Sequence, residues 1–229
     1  MLVACPVANK PKSNDLCNAF IGGAPRSATG YVFYGANQTN IDQWRKANTK
    51  GQTFWYIDNS YFDAVRGQQY RVTRNAIQVQ GAKRRVSDGK RFAALGVEIK
   101  PWKPDGDYWL ACAQSPTFMR DIARDERWIE RTSFGSWPLR IRPWLRDKLK
   151  QQATLVDDLK GAGLLVTHSS AAAVTALLEG TPVMVSEMSA VHGIRYGDDR
   201  LPLMQVLADN QFTVTEMKTG KAWSQLNRQ

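Results

Sequence analysis

The stretch GAGLLVTHSSAAAVTALLEGTPVMVS, residues 161–186, decides how this chain is read. LLVTH (164–168) is a short apolar run of buried-strand character, and SSAAAVTALLEG (169–180) is a helix of small and apolar residues. PVMVS (182–186) is a second strand after a Gly-Thr-Pro turn. Strand, helix, strand is the repeating unit of a parallel sheet. In open sheets of this kind ligands gather at the carboxyl ends of the strands. Ser169 and Ser170 are expected at the N-cap and first turn of the helix, where free N–H groups, the helix dipole and two hydroxyls favour a phosphate or pyrophosphate. Ala171, Ala172 and Ala173 let a ligand come close. Against this stands a plain capping role for Ser169, worth about 1 kcal/mol.

The same grammar extends in both directions. YVFYG (31–35) and TFWYIDN (53–59) read as strands around a helix in NQTNIDQWRKANTKG (37–51), and QQYRVTRNAIQVQG (68–81) has the period-two character of an antiparallel or edge strand. AKRRVSDGKR (82–91) is polar, basic and glycine-containing, which suits a domain boundary. Beyond it, DYWLACAQS (107–115) is a strand, SPTFMRDIARDERWIERTS (115–133) one helix, LRIRP (139–143) a strand and LVDDLKGA (155–162) a short helix. The tail from Leu201 suggests two amphipathic helices that pack back on the body. The expected fold is therefore α/β, with two small Rossmann-like doubly wound lobes facing one another across a cleft. The lobes are expected at 1–88 and 89–195, with C-terminal helices at 196–229.

Composition narrows the class. Thirty-one Lys and Arg against twenty-one Asp and Glu give a net charge of +10 and a pI near 9.7. That excess favours a polyanionic partner, whether nucleic acid, an anionic membrane surface or phosphorylated substrates. Several of the eight tryptophans stand beside basic residues, as in QWRK (43–46), DERWIER (125–131) and RIRPWLRDK (140–148). Such interleaving suits stacking on bases and equally suits long side chains lying over indole faces. No run reaches the roughly 18 apolar residues that span a bilayer, and the N-terminus lacks a basic region followed by an apolar stretch, so a cytoplasmic protein is expected. Cys5, Cys17 and Cys112 are odd in number and widely spaced, which excludes a disulfide framework and suits buried thiols. With only His168 and His192 beside them, no metal site is expected, and the acids of DGD (105–107) and DDR (198–200) read as turn residues.

THSSAAAVTALLEGTPVMVSEMS, with SPTFMRDIARDERW and PLRIRPW before it, resembles the nucleotide-binding C-terminal half of GT-B-type glycosyltransferases, in particular short phage-encoded and capsule-type members. The resemblance covers roughly residues 107–195, while the N-terminal half matches only in its order of strands and helices. It implies that Ser169 and Ser170 hold the donor's phosphates, with Arg140 and Arg142 meeting diphosphate charge. It further implies that Gln114 lines the same cleft and that Glu187 hydrogen-bonds a ribose hydroxyl. The leaving diphosphate is then neutralised by helix dipoles and basic side chains without a metal or cofactor. A nucleotide-diphosphate donor is the implied co-substrate.

Sugar transfer with inversion needs a base. Asp58, closing the strand FWYIDN, is the first candidate and His168 the second; an Asx-turn with Asn59 is the plain alternative for Asp58. Arg71, Arg74 and Asn75 in YRVTRNA, with Lys83, Arg84 and Arg85, form a basic segment suited to DNA phosphates. The aromatics Phe54, Trp55, Tyr56, Tyr61 and Phe62 suit either a core or a pocket for a flipped base. The expectation is a transferase acting from a nucleotide donor on hydroxymethylated pyrimidines in phage DNA, inside the host bacterium. A surface or capsule glycan acceptor and transfer of a non-sugar group onto modified bases stay open. So do a nucleotide-sugar epimerase or hydrolase and a non-catalytic nucleic-acid-binding α/β protein.

Overall fold

The computed structural model describes residues 1–35, 40–82, 85–103, 105–132, 138–143 and 154–227. The chain is α/β and forms two compact units, Met1–Val79 with Asn210–Gln229, and Gln80–Asp209. The second unit thus begins at Gln80 rather than near 89, and it includes residues 196–209.

The first unit opens with β1 (Leu2–Cys5), α1 (Pro11–Gly22), β2 (Gly30–Tyr34), α2 (Ile41–Thr49), β3 (Phe54–Asn59) and β4 (Gln69–Arg74). Helix α1 begins with Pro11, whose missing N–H costs nothing at that position. The buried Ser13 hydroxyl accepts the Val7 N–H at 2.7 Å, fixing the turn before the helix. Strands β1, β2 and β3 are parallel, and β4 runs antiparallel to β3. On β3 the residues Phe54–Ile57 are apolar and buried on both sides, as a strand covered on both faces requires. One face carries Val32, Trp55 and Ile57 against Leu16 and Phe20 of α1. On the other, Phe33 meets Phe54 edge-on at 6.1 Å, and Trp44 of α2 meets Phe54 at 6.4 Å.

The second unit contains α3 (Lys90–Ala93), β5 (Tyr108–Cys112), α4 (Pro116–Phe118), α5 (Trp128–Arg131), β6 (Leu139–Arg142), α6 (Leu155–Lys160), β7 (Ala162–Thr167), α7 (Ala172–Leu178), β8 (Val183–Val185) and α8 (Leu201–Asp209). Its four strands are all parallel, in the order β6-β5-β7-β8. Thr154 and Asp157 form a reciprocal capping box that starts α6. Helix α7 is buried along Ala173–Leu178, so its small apolar residues are core. It ends at Gly180, whose φ of +81° suits glycine; a Cβ there would stand 2.0 Å from the Pro101 carbonyl oxygen.

The chain then returns to the first unit as β9 (Gln211–Thr213), α9 (Val214–Lys218) and α10 (Lys221–Leu226). β9 pairs antiparallel with β4 and completes the order β1-β2-β3-β4-β9. Of the two readings for 68–81, antiparallel or edge, β4 is antiparallel and not an edge, and the tail is helix, strand and two short helices instead of two amphipathic helices. The reason is Gln211-Phe212-Thr213: Phe212 joins the core, and the fully buried Gln211 accepts the Tyr61 N–H at 3.3 Å. The helix expected over 115–133 is also broken. It runs Pro116–Phe118, continues as a π turn over Met119–Ala123, and stops where Arg124 takes a left-handed φ of +53°.

Candidate functional site at the β5–β7 switch point

The strand order takes the chain from β5 outward to β6, then back across β5 to β7. The carboxyl ends of β5 and β7 are therefore the topological switch point, where sheets of this type open a crevice. The Thr167 hydroxyl donates to the Cys112 carbonyl at 2.8 Å and knits the two strand ends together. Gln114 follows β5, His168 and Ser169 follow β7, and Ser186 follows β8.

These four residues form one hydrogen-bonded cluster. Gln114 Oε1 accepts the Ser169 N–H at 2.9 Å, and its Nε2 reaches Ser169 Oγ at 3.2 Å. His168 Nδ1 faces Ser169 Oγ at 3.2 Å and Ser186 Oγ at 3.3 Å. The Ser186 N–H donates to the His168 carbonyl at 2.9 Å, which ties the ends of β7 and β8. Two hydroxyls on one ring nitrogen favour Nδ1 as acceptor, leaving the proton on Nε2. Burial pulls the imidazole below its ordinary 6.5, with the Asp125 carboxylate working in the opposite direction. Held neutral and with Nδ1 engaged, His168 is set up to position the serines and donate from Nε2, which argues against the role of base.

The two serines divide their tasks. Helix α7 starts later than the sequence suggests: its N-cap is Ala171, which has no side-chain cap. Ser169 is thus no helix cap but a buried tether at 3% exposure. Ser170 is half-buried, and its Oγ accepts the Ala172 N–H at 3.2 Å, so its own proton stays free to donate. The N–H groups of Ser170 and Ala171 find no acceptor among the described residues. Glu187, past the end of β8, is exposed.

The remaining candidates have other partners. Arg142 forms an ion pair with Asp158 of α6, and the exposed Arg140 lies over the Tyr108 ring at 3.7 Å. The two arginines of β6 therefore do not present a free pair of charges. In the first unit Asp58 pairs with Arg71 at 2.7 Å and accepts the Asn59 N–H at 2.7 Å, a bond to the next residue rather than the Asx-turn, which reaches two residues on. Arg71 is only 6% exposed and stacks over Tyr61 at 5.0 Å; burial works against its charge, and the Asp58 carboxylate together with Tyr61, Tyr56 and Tyr34 more than offsets that. It is thus corrected from a surface cation to an internal one. Asn75 is corrected too: at φ +54° it is a turn residue whose side chain accepts the Phe54 N–H at 2.9 Å. Arg74 and Arg85 are exposed, whereas Lys83 and Arg84 lie outside the described residues. Phe54, Trp55, Tyr56, Tyr61 and Phe62 are all buried, so they are core and no base pocket. The three cysteines are buried and unpaired, and burial pushes the Cys112 thiol up to about 12.

Three residues of the site escape a reading by sequence. Ser186 is visible only as the last residue of PVMVS. Phe118 and Trp128 would stand about 15 Å apart along an unbroken helix. Here both rings meet His168 edge-on, at 6.1 and 5.5 Å. No side-chain signal announces the π turn that brings them together.

Among the described residues, no three of His, Cys, Asp and Glu gather as metal ligands, and no helix is long and apolar enough to cross a membrane. No family model matches the chain, and no curated protein matches it. Among solved structures, the chain is similar to the beta Kdo 2,4 transferase KpsC of Thermosulfurimonas dismutans, with a TM-score of 0.46 and 12% identity over 90% of this chain and 90% of that one.

Proposed function

We propose that the second unit binds a nucleotide-activated donor by its phosphates and that the protein transfers the activated group, a sugar, in the manner of a glycosyltransferase. The observation that carries this reading is the Gln114–Ser169–His168–Ser186 cluster at the strand switch, with the Ser170 hydroxyl and two amides that find no acceptor among the described residues beside it. Gln114 and the buried Ser169 hold the turn rigid. Ser170 donates its O–H and the Ser170 and Ala171 amides their N–H groups to phosphate oxygens, a nest of donors suited to an anion. Because His168 is neutral, binding rests on these dipoles rather than on a local positive charge. Glu187 offers an exposed acceptor to a ribose hydroxyl.

For the acceptor, the net charge of +10 supports a polyanion. The first unit carries twelve Lys and Arg against five Asp and Glu, the second nineteen against sixteen. The acceptor we propose is duplex DNA bearing hydroxymethylated pyrimidines, approached through exposed cations of the first unit such as Arg74. Asp58 is a weak candidate for the base, since its carboxylate is already engaged by the Arg71 guanidinium and the Asn59 N–H.

Thermal unfolding with UDP, GDP, CMP and a hydroxymethylated duplex tests the reading, with mass spectrometry of the duplex after incubation with nucleotide sugars. Stabilisation by one nucleotide, lost in Ser170→Ala, is the expected result. Stabilisation by DNA alone, identical in the variant, means a non-catalytic DNA binder and refutes it. Transfer to a glycan but not to the duplex retains the donor site and refutes the DNA acceptor.

A further inference from the structure

We propose that the notch formed by Phe118, Trp128 and the His168 edge holds the flat base of the bound nucleotide, with Trp128 as the stacking surface. This rests on the phosphate-binding reading of the Ser170 turn and extends it to the other end of the same ligand.

Four observations converge. Both rings touch the imidazole that follows β7, directly beside the serine turn. Both are only half-buried, whereas Met119 and Ile122 of the same segment are each buried to 8% exposure. The segment is thus anchored by other side chains, and two large rings are left partly in solvent where core packing does not require them. The backbone is also bent to bring them there: a π turn over Met119–Ala123 is followed by a left-handed non-glycine residue, Arg124 at φ +53°. Such departures from regular helix concentrate where a side chain must be aimed. Finally, the charges of this segment are largely paired internally, Arg120 with Asp121, Arg127 with Glu130 and Arg131 with Asp125. A segment whose charges are mostly taken by one another and whose two rings are half-exposed suits a neutral planar ring better than a phosphate chain. Every nucleobase has such a face, and stacking on an aromatic side chain is tolerant of its identity.

Calorimetric titration of the full chain tests the proposal, using UDP, GDP and CMP with inorganic pyrophosphate and phosphate as ring-free counterparts. Trp128→Ala is expected to weaken the preferred nucleotide about tenfold or more and to leave pyrophosphate binding unchanged. Trp128→Phe, which keeps a flat ring, is expected to retain most of the affinity. The same nucleotide is expected to quench a tryptophan emission component that Trp128→Phe lacks, which a merely structural ring would not produce. Equal affinity of wild type and Trp128→Ala for the nucleotide overturns the base notch while the phosphate site stands. Parallel loss of nucleotide and pyrophosphate in Trp128→Ala also overturns it, since the ring then only supports the turn. Absence of binding by every probe overturns both readings together.

Discussion

The neighbouring serines are predicted to separate cleanly under single substitution. Ser169 is 3% exposed, and its hydroxyl stands 3.2 Å from both Gln114 Nε2 and His168 Nδ1. Ser169→Ala takes the partner from the half-buried Gln114 Nε2 and from the buried His168 Nδ1, a loss of about 1–3 kcal/mol. At about 2–4 °C per kcal/mol for a chain of this size, Tm falls by roughly 2–12 °C. Ser170 is half-buried, and its hydroxyl accepts the Ala172 N–H at 3.2 Å, a bond that water can replace. Ser170→Ala is therefore expected to cost about 0.5–1 kcal/mol. The order inverts for the gain that nucleotide brings. A ligand at 100 times its Kd adds about 2.7 kcal/mol to wild type. In Ser170→Ala less than half of that gain is expected at the same concentration, because a phosphate donor is gone. Differential scanning calorimetry of the two variants, with and without the preferred nucleotide, reads both effects in one series. Equal destabilisation by the two substitutions, or a full nucleotide gain in Ser170→Ala, refutes the division into tether and grip.

Three further outcomes follow from the same geometry. Because burial lowers the folded-state pKa of His168 below 6.5, the unfolded chain binds more protons in that interval. Stability is then full above about pH 6.5 and falls as the pH drops toward the folded value; His168→Gln is expected to flatten the Tm-against-pH slope between about pH 7 and 5, and an unchanged slope rejects the buried neutral imidazole. Asp58→Asn leaves the Arg71 guanidinium buried and unpaired, at a cost of about 3–5 kcal/mol, whereas Arg71→Met leaves the more exposed Asp58 carboxylate and should cost less. Urea unfolding of the two variants checks that asymmetry, and the reverse order rejects it. Gly180→Ala forces a left-handed φ and a contact 2.0 Å from the Pro101 carbonyl oxygen; a loss above about 2 kcal/mol is expected, and a neutral substitution shows that the α7 terminus can shift.

Much of the fold was legible because its signals are local. Alternating apolar runs and turn residues predict β2, β3, β7 and β8, and the run from LLVTH to PVMVS locates the strand end at which Gln114, His168, Ser169 and Ser170 gather. The same kind of reading misses β9, since Gln211-Phe212-Thr213 becomes a strand only by pairing with β4, more than a hundred residues earlier in the chain. It also misses the break at Arg124, because SPTFMRDIARDERW has helical composition throughout and no residue in it marks the π turn over Met119–Ala123.

Charge was the least legible property. Composition determines the excess of basic residues, and the pattern of strand, hydroxyl pair and small-residue helix determines that an α/β sheet ends in a polar turn. Which cations remain free was decided by the tertiary structure: Arg71 goes inside to Asp58, and Arg142 is taken by Asp158. The same holds for the serines, where the fold makes Ser169 a buried tether and leaves Ser170 at the surface. The physical reason is one of range. Propensity, hydrophobic period and turn chemistry act over a few neighbouring residues. Burial, ion pairing and the fate of each hydroxyl depend on side chains brought together from distant parts of the chain.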